Sequence, residues 1–269
     1  MTMVPGHGES LLPPGKRWQL VWHDEFEGSE LDRSKWMFRK HLFHRQHETF
    51  TDEGVFLDGN SNLHITLLEK DGHYYSAHLQ TGENYMDRPH TGEWPIAALA
   101  NPTFMHKYGY YECRCKLPTQ KGWWAAFWLQ SPVIGSSLDP RRAGVEVDIL
   151  ETFSDYGVIS STTISHNCHW GGYGPDHRSS GLVAWTLKET PDGFHHFGVD
   201  WSPTGYVFYV DGEETNRMEE AVSDTEQFIL LSTECDGYRS EERQPSEDLR
   251  RAMLPDAFIV DFVRVYDSV

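Results

Sequence analysis

Gly144-Val145-Glu146-Val147-Asp148-Ile149-Leu150-Glu151 sets three carboxylates among Val147, Ile149 and Leu150, all apolar and two of them β-branched. In a strand, successive side chains alternate faces, so Glu146 and Asp148 point the same way and Val147 points opposite. Glu151 stands five residues after Glu146, an odd spacing that puts it on the wrong face of a regular strand. One inserted residue, a β-bulge, returns it to the face of the other two. The stretch therefore predicts a bulged strand, buried on one side and acidic on the other.

Working outward, the neighbouring segments read as more short strands with turn punctuation. Tyr108-Gly-Tyr-Tyr-Glu-Cys-Arg-Cys-Lys-Leu117 alternates at period two. Asn62-Leu-His-Ile-Thr-Leu-Leu68 follows the turn signal Asp58-Gly59-Asn60, and Trp18-Gln-Leu-Val-Trp22 opens the pattern. Val207-Phe-Tyr-Val210 runs into Asp211-Gly212, a hairpin turn pair. Ala257 to Tyr266 is the last strand, and the best helical segment is a short one around Ser246–Arg251. Many short strands with almost no helix predict an all-β chain: a β-jelly-roll sandwich of two antiparallel sheets with a concave groove. Residues 1–16, with three prolines and three glycines, are expected to be a flexible arm, and 17–269 a single domain.

Composition narrows the functional classes. The formal net charge of -18 repels nucleic acid and anionic membranes, and it weighs against a heavily sulfated substrate unless basic patches override it locally. The sequence has no run of about 18 apolar residues, so no transmembrane helix is expected. The start, Met1-Thr-Met-Val-Pro-Gly-His-Gly8, shows no signal peptide. Cys113 and Cys115 are too close on one strand to bridge well, and Cys168 and Cys235 are the remaining pair. All four are read as free thiols. With 10 Trp, 12 Tyr and 14 Phe the chain is rich in aromatics. Aromatic faces are platforms for the C–H faces of sugars, although core filling accounts for about half of the tryptophans.

Three carboxylates on one strand face repel one another. Such repulsion raises the pKa of one member, giving a general acid near neutral pH while another stays ionised. A retaining glycosidase needs a carboxyl pair about 5–5.5 Å apart, which a bulged strand can supply. A solvated acidic edge or a calcium site would use the same residue types.

At these residues the sequence resembles glycoside hydrolase family 16. Glu146-Val-Asp148-Ile-Leu-Glu151 matches the family's bulged Glu-x-Asp-x-x-Glu motif rather than its shorter Glu-x-Asp-x-Glu form. The bulged form is the one shared by the family's laminarinases, agarases, porphyranases and carrageenases. Further ordered similarities are Trp22-His-Asp-Glu-Phe-Glu-Gly28, Leu31-Asp-Arg-Ser-Lys-Trp36, Tyr108–Leu117 and Gly122-Trp-Trp-Ala-Ala-Phe-Trp-Leu129. Phe194–Trp201, Tyr209–Gly212 and Val260–Tyr266 follow in the same order. The resemblance implies Glu146 as nucleophile, Glu151 as acid/base and Asp148 as a supporting carboxylate between them. It implies Trp124 and Trp128 as cleft tryptophans, and His169-Trp170, before Gly171-Gly172, as substrate-binding residues near the active site. For Trp128 and His169, packing or a supporting role is the competing reading.

The resemblance also implies an endo-acting enzyme, a polysaccharide substrate and no required cofactor. A structural calcium near Asp261, a monomeric state and a secreted, periplasmic or cell-surface location follow from it as expectations. Glu234, in Thr233-Glu234, resembles the strand end of red-algal galactanases and is a candidate acceptor for a sugar hydroxyl. Phe38-Arg-Lys-His-Leu-Phe-His-Arg-Gln-His-Glu48 concentrates cations and histidines, with Arg45 a candidate contact to an anionic sugar. His41, His44 and His47 have metal-like spacing, without a helix signal to support it. A red-algal galactan is therefore the first expectation, a β-1,3-glucan the alternative, and a lectin-like jelly roll without turnover the reading from a different class. The sugar's identity is expected to lie in the loops around 39–47, 84–95, 169–178 and 234–245.

Overall fold

A computed structural model describes residues 2–43, 45–84, 102–153 and 159–269. Two antiparallel eight-stranded sheets pack face to face. One runs, edge to edge, Arg178–Ser179, Thr163–Trp170, Glu146–Glu151, Trp123–Gln130, Phe228–Cys235, His78–Gln80 and Met37–Arg39, with Val183–Thr186 also paired to Thr163–Trp170. The other is built on Gly109–Lys116 and the long closing strand Ala257–Ser268. This is the all-β jelly-roll sandwich expected.

The core lies between the sheets, where Phe127, Leu129, Val147, Phe197, Val199, Ile229, Leu231, Val263 and Val265 are wholly buried. The alternation that buries these residues turns their neighbours outward to form a cleft. Asp211 and Gly212 both adopt positive φ, the conformation of a type I′ hairpin turn. The helix Glu247–Arg250 forms behind Ser246, whose hydroxyl caps Leu249 N–H. Pro140–Ala143, capped by Asp139, is a second short helix that the sequence reading did not mark.

The bulge falls where the spacing predicts. Between Asp148 and Glu151 the strand carries three steps, while its partner goes from Asn167 to Ser165 in two. On the other side Phe127 pairs with Leu150 and Trp128 with Asp148, so Ile149 is the extra residue. Ile149 and Leu150 both enter the core although they are adjacent, and the three carboxylates stay together. Both neighbouring strands lack the extra residue, so deleting Ile149 should leave a regular, correctly paired strand. The expected product is folded but less stable by about 2–5 kcal/mol, the cost of losing a large buried side chain. Calorimetry should show a melting point roughly 5–15 °C lower; an unfolded product would refute this view of the bulge.

Residues 2–16 carry no strand but are tied to the outer sheet. Leu11 N–H donates to Glu112 Oε1 at 2.8 Å, Arg264 Nη1 to Gly8 O at 2.8 Å, and Trp18 Nε1 to Pro13 O at 2.9 Å. All four cysteines are buried free thiols. Asp261 accepts a 2.5 Å hydrogen bond from Arg114 Nη1, and the same guanidinium reaches Asp192. Arginine thus neutralises this carboxylate, which belongs to no group of three metal-ligating side chains among the described residues. Those residues also include no helix long and apolar enough to cross a membrane.

Candidate active site

A cavity of about 500 Å³ opens on the first sheet and takes in Glu146, Asp148, Glu151, Trp124, Trp128, His169 and Glu234. Along Trp123–Gln130 every second residue faces it, so Trp124, Trp128 and Gln130 line the cleft while Trp123 is wholly buried behind. Trp128 Nε1 donates to Ser232 Oγ at 2.9 Å, which fixes the plane of the indole.

The same alternation corrects one expectation. His169 faces the cleft, so Trp170, next along the strand, turns into the core and is only 6% exposed. Arg45 is also displaced: it is exposed on a two-residue strand paired with His41–Leu42 and does not line the cavity. Arg39 lines the cavity instead, with its guanidinium 5.7 Å from the Trp128 ring centroid. Glu234 reaches the cleft as half of an ion pair, receiving Arg239 Nε at 2.5 Å and Nη2 at 2.7 Å. This pair holds the Arg239 guanidinium 5.5 Å from the Trp124 ring centroid. Of the three spaced histidines, His44 and most of the 84–95 loop lie outside the described residues, while His47 stacks on Phe50 at 4.2 Å.

The carboxylates differ in their surroundings. Burial, then the charge of Asp148, pushes Glu146 up to about 7, against the pull of His169, a hydrogen bond from Tyr173 and the charge of Arg39. Burial and the charges of Asp148 and Glu146 push Glu151 well above the usual carboxylate range. Both carboxyls are thus biased toward the protonated form, which a general acid requires of one of them. His169 Nε2 lies 3.3 Å from Asp148 Oδ2. Burial alone would lower this histidine, but Asp148, by hydrogen bond and charge, and then Glu146 and Glu151 raise it to about 9. His169 is then an imidazolium at neutral pH, able to donate its other proton to His177, 2.9 Å away. Glu146, Asp148 and His169 bring ligand atoms within 4.8 Å of one another. With the His169 ring 3.3 Å from Asp148, the trio also forms a connected acid–base network.

Gln130, Tyr173, Arg39, Arg239, His78, Asn167 and Ser232 also line the cleft. Gln130, Asn167 and Ser232 each stand two residues from a residue the sequence reading had marked, so alternation would have found them. Tyr173 and Arg239 arrive from the loops 169–178 and 234–245, which the sequence marks for specificity without singling out either residue.

A jelly-roll sandwich whose cleft holds a bulged carboxylate trio between tryptophans defines a carbohydrate-active class. Residues 18–268 match the family described as "Beta-porphyranase A-D, GH16 domain". The chain belongs to glycoside hydrolase family 16. It is 26% identical, over 92% of its length, to Glucan endo-1,3-beta-glucosidase A1 of Niallia circulans, of which it spans 37%. It is 27% identical to Beta-porphyranase D of Zobellia galactanivorans over 72% of the chain, spanning 46% of that protein. The catalytic domain of a Thermotoga petrophila laminarinase superposes with a TM-score of 0.68 at 27% identity, covering 94% of this chain and 99% of that one.

Proposed function

We propose that the chain is an endo-acting, retaining β-glycoside hydrolase that cuts polysaccharides by double displacement. The observation that carries this is the bulge at Ile149, which gathers Glu146, Asp148 and Glu151 on one cleft face. Protonated Glu151 gives its proton to the leaving glycosidic oxygen while Glu146 attacks the anomeric carbon and forms an ester. Esterification removes the charge of Glu146, so the pKa of Glu151 falls just when it must act as base. Glu151 then takes a proton from water, which attacks the anomeric carbon and releases Glu146 as a carboxylate. Asp148, neutralised by His169, steadies the pair. Every proton is accounted for, so no cofactor is needed, and a polymer substrate places the work outside the cell.

The preferred polymer is a β-1,3-glucan, supported by the similarity to glucanases and by a cleft lined with tryptophans. The galactan reading loses one support, since the carboxylate of Glu234 is already held by Arg239. It keeps two others, the porphyranase-type family match and the arginines 39 and 239 over the two tryptophans. Reducing-end release from laminarin, agarose, porphyran and carrageenan separates the two readings. Cleavage of laminarin is the expected result, and cleavage of porphyran alone would select the galactan. Binding without cleavage of any polymer would instead indicate a lectin.

A further inference from the structure

Tyr173 reaches the cleft through a turn that only glycine can make. Gly171 and Gly172 have φ of 78° and 80°, and a Cβ on Gly171 would stand 2.3 Å from Asp176 O. The turn aims the Tyr173 hydroxyl at Glu146 Oε2, to which it donates. Gln130 Nε2 lies 3.0 Å from the same oxygen and 2.5 Å from the Tyr173 hydroxyl, closing a triangle. The Gln130 amide is itself oriented by Asn84 Nδ2, 2.6 Å from Gln130 Oε1. Two donors therefore converge on one carboxylate oxygen of Glu146.

We propose that Tyr173 is a positioning residue for the nucleophile, acting with Gln130 to fix Glu146 Oε2 and leave Oε1 free for attack. This rests on the reading of Glu146 given above. A carboxylate held by donors is stabilised in its ionised form. The other charged groups facing Glu146 are Asp148 and Glu151 on its own strand, His169 on the next, Arg39 from the sheet edge, and Arg239 from the loop after Phe228–Cys235. Of the neutral side chains, the tyrosine is the one whose single proton is given to this oxygen.

Tyr173→Phe tests the assignment, because it keeps the ring and its contacts with Phe43, centroids 6.1 Å apart, and His177 at 6.4 Å. The expected result is a fall in kcat of about ten- to a hundredfold with KM nearly unchanged, and an acidic limb of kcat/KM about one pH unit higher. A tyrosine that merely packed would move neither. A second measurement needs no turnover. With ¹³C-carboxyl-labelled glutamate, the Glu146 signal is the one that disappears in Glu146→Gln. Its midpoint, about 7 in the parent, should rise by about one unit in Tyr173→Phe. An unchanged midpoint overturns the proposal, as does an unchanged kcat in an active enzyme. A parent that cleaves no polymer would sink the hydrolase reading, while the midpoint would still decide the role of Tyr173.

Discussion

Glu146→Ser should abolish polymer cleavage, with kcat falling on the order of 10⁴-fold or more, the scale seen when a nucleophile is removed from its catalytic unit. The serine oxygen is too short to reach the anomeric carbon. Glu146 is partly exposed on the cleft face, while the core behind its strand is filled by Val147, Ile149 and Leu150. The substitution therefore opens no core cavity, and circular dichroism should be unchanged. A small anion such as azide fits the vacated space and should restore turnover, giving a glycosyl azide of inverted configuration. Substantial hydrolysis by the variant without azide would remove Glu146 from its role and leave the three carboxylates without a nucleophile.

How much of this was readable from residues alone follows from the physics of strands. The odd spacing of Glu146 and Glu151 required an inserted residue, and the bulge at Ile149 supplies it. Trp124 and Trp128 stand an even number apart, so their shared face was implied. The same rule excluded Trp170 once His169 was placed in the cleft, and a family likeness for the dipeptide overrode it. Arg45 and Arg39 show a different limit. They stand six apart in one basic segment, but a two-strand hairpin turns Arg45 to solvent and the sheet edge carries Arg39 inward. That choice depends on pairing partners far along the chain. Tyr173 and Arg239 come from loops whose paths are set by tertiary contacts, and Asp261 was read as acidic without sight of Arg114 beside it. The proline- and glycine-rich arm announced the absence of a strand. Its anchors, Glu112 and Arg264, are buried charges recognisable only once the sheet is assembled.

Glu151→Gln should separate catalysis from stability. The amide cannot donate an acidic proton to the leaving oxygen, so kcat on polymer should fall by about 10²–10⁴-fold, the usual contribution of a general acid–base group. Aryl glycosides with acidic phenol leaving groups need less proton assistance, so their bond-breaking step should be largely spared and slow deglycosylation exposed as a burst. Stability should move the other way. The folded-state pKa of Glu151 is raised well above the unfolded value, chiefly by burial and then by Asp148 and Glu146. If Glu151 keeps its proton at pH 7, as the general acid must, the native chain holds a proton that the unfolded chain releases, which favours unfolding. That cost grows as pH rises above the unfolded pKa, about 4.3 for glutamate, and is absent below it. Glutamine removes the titration, so Glu151→Gln should melt higher than the parent at pH 7, and the gap should close as pH falls toward 4. Melting curves taken across that range decide the matter. A variant no more stable at pH 7 than the parent would mean that Glu151 is already ionised there, and it could not then be the general acid.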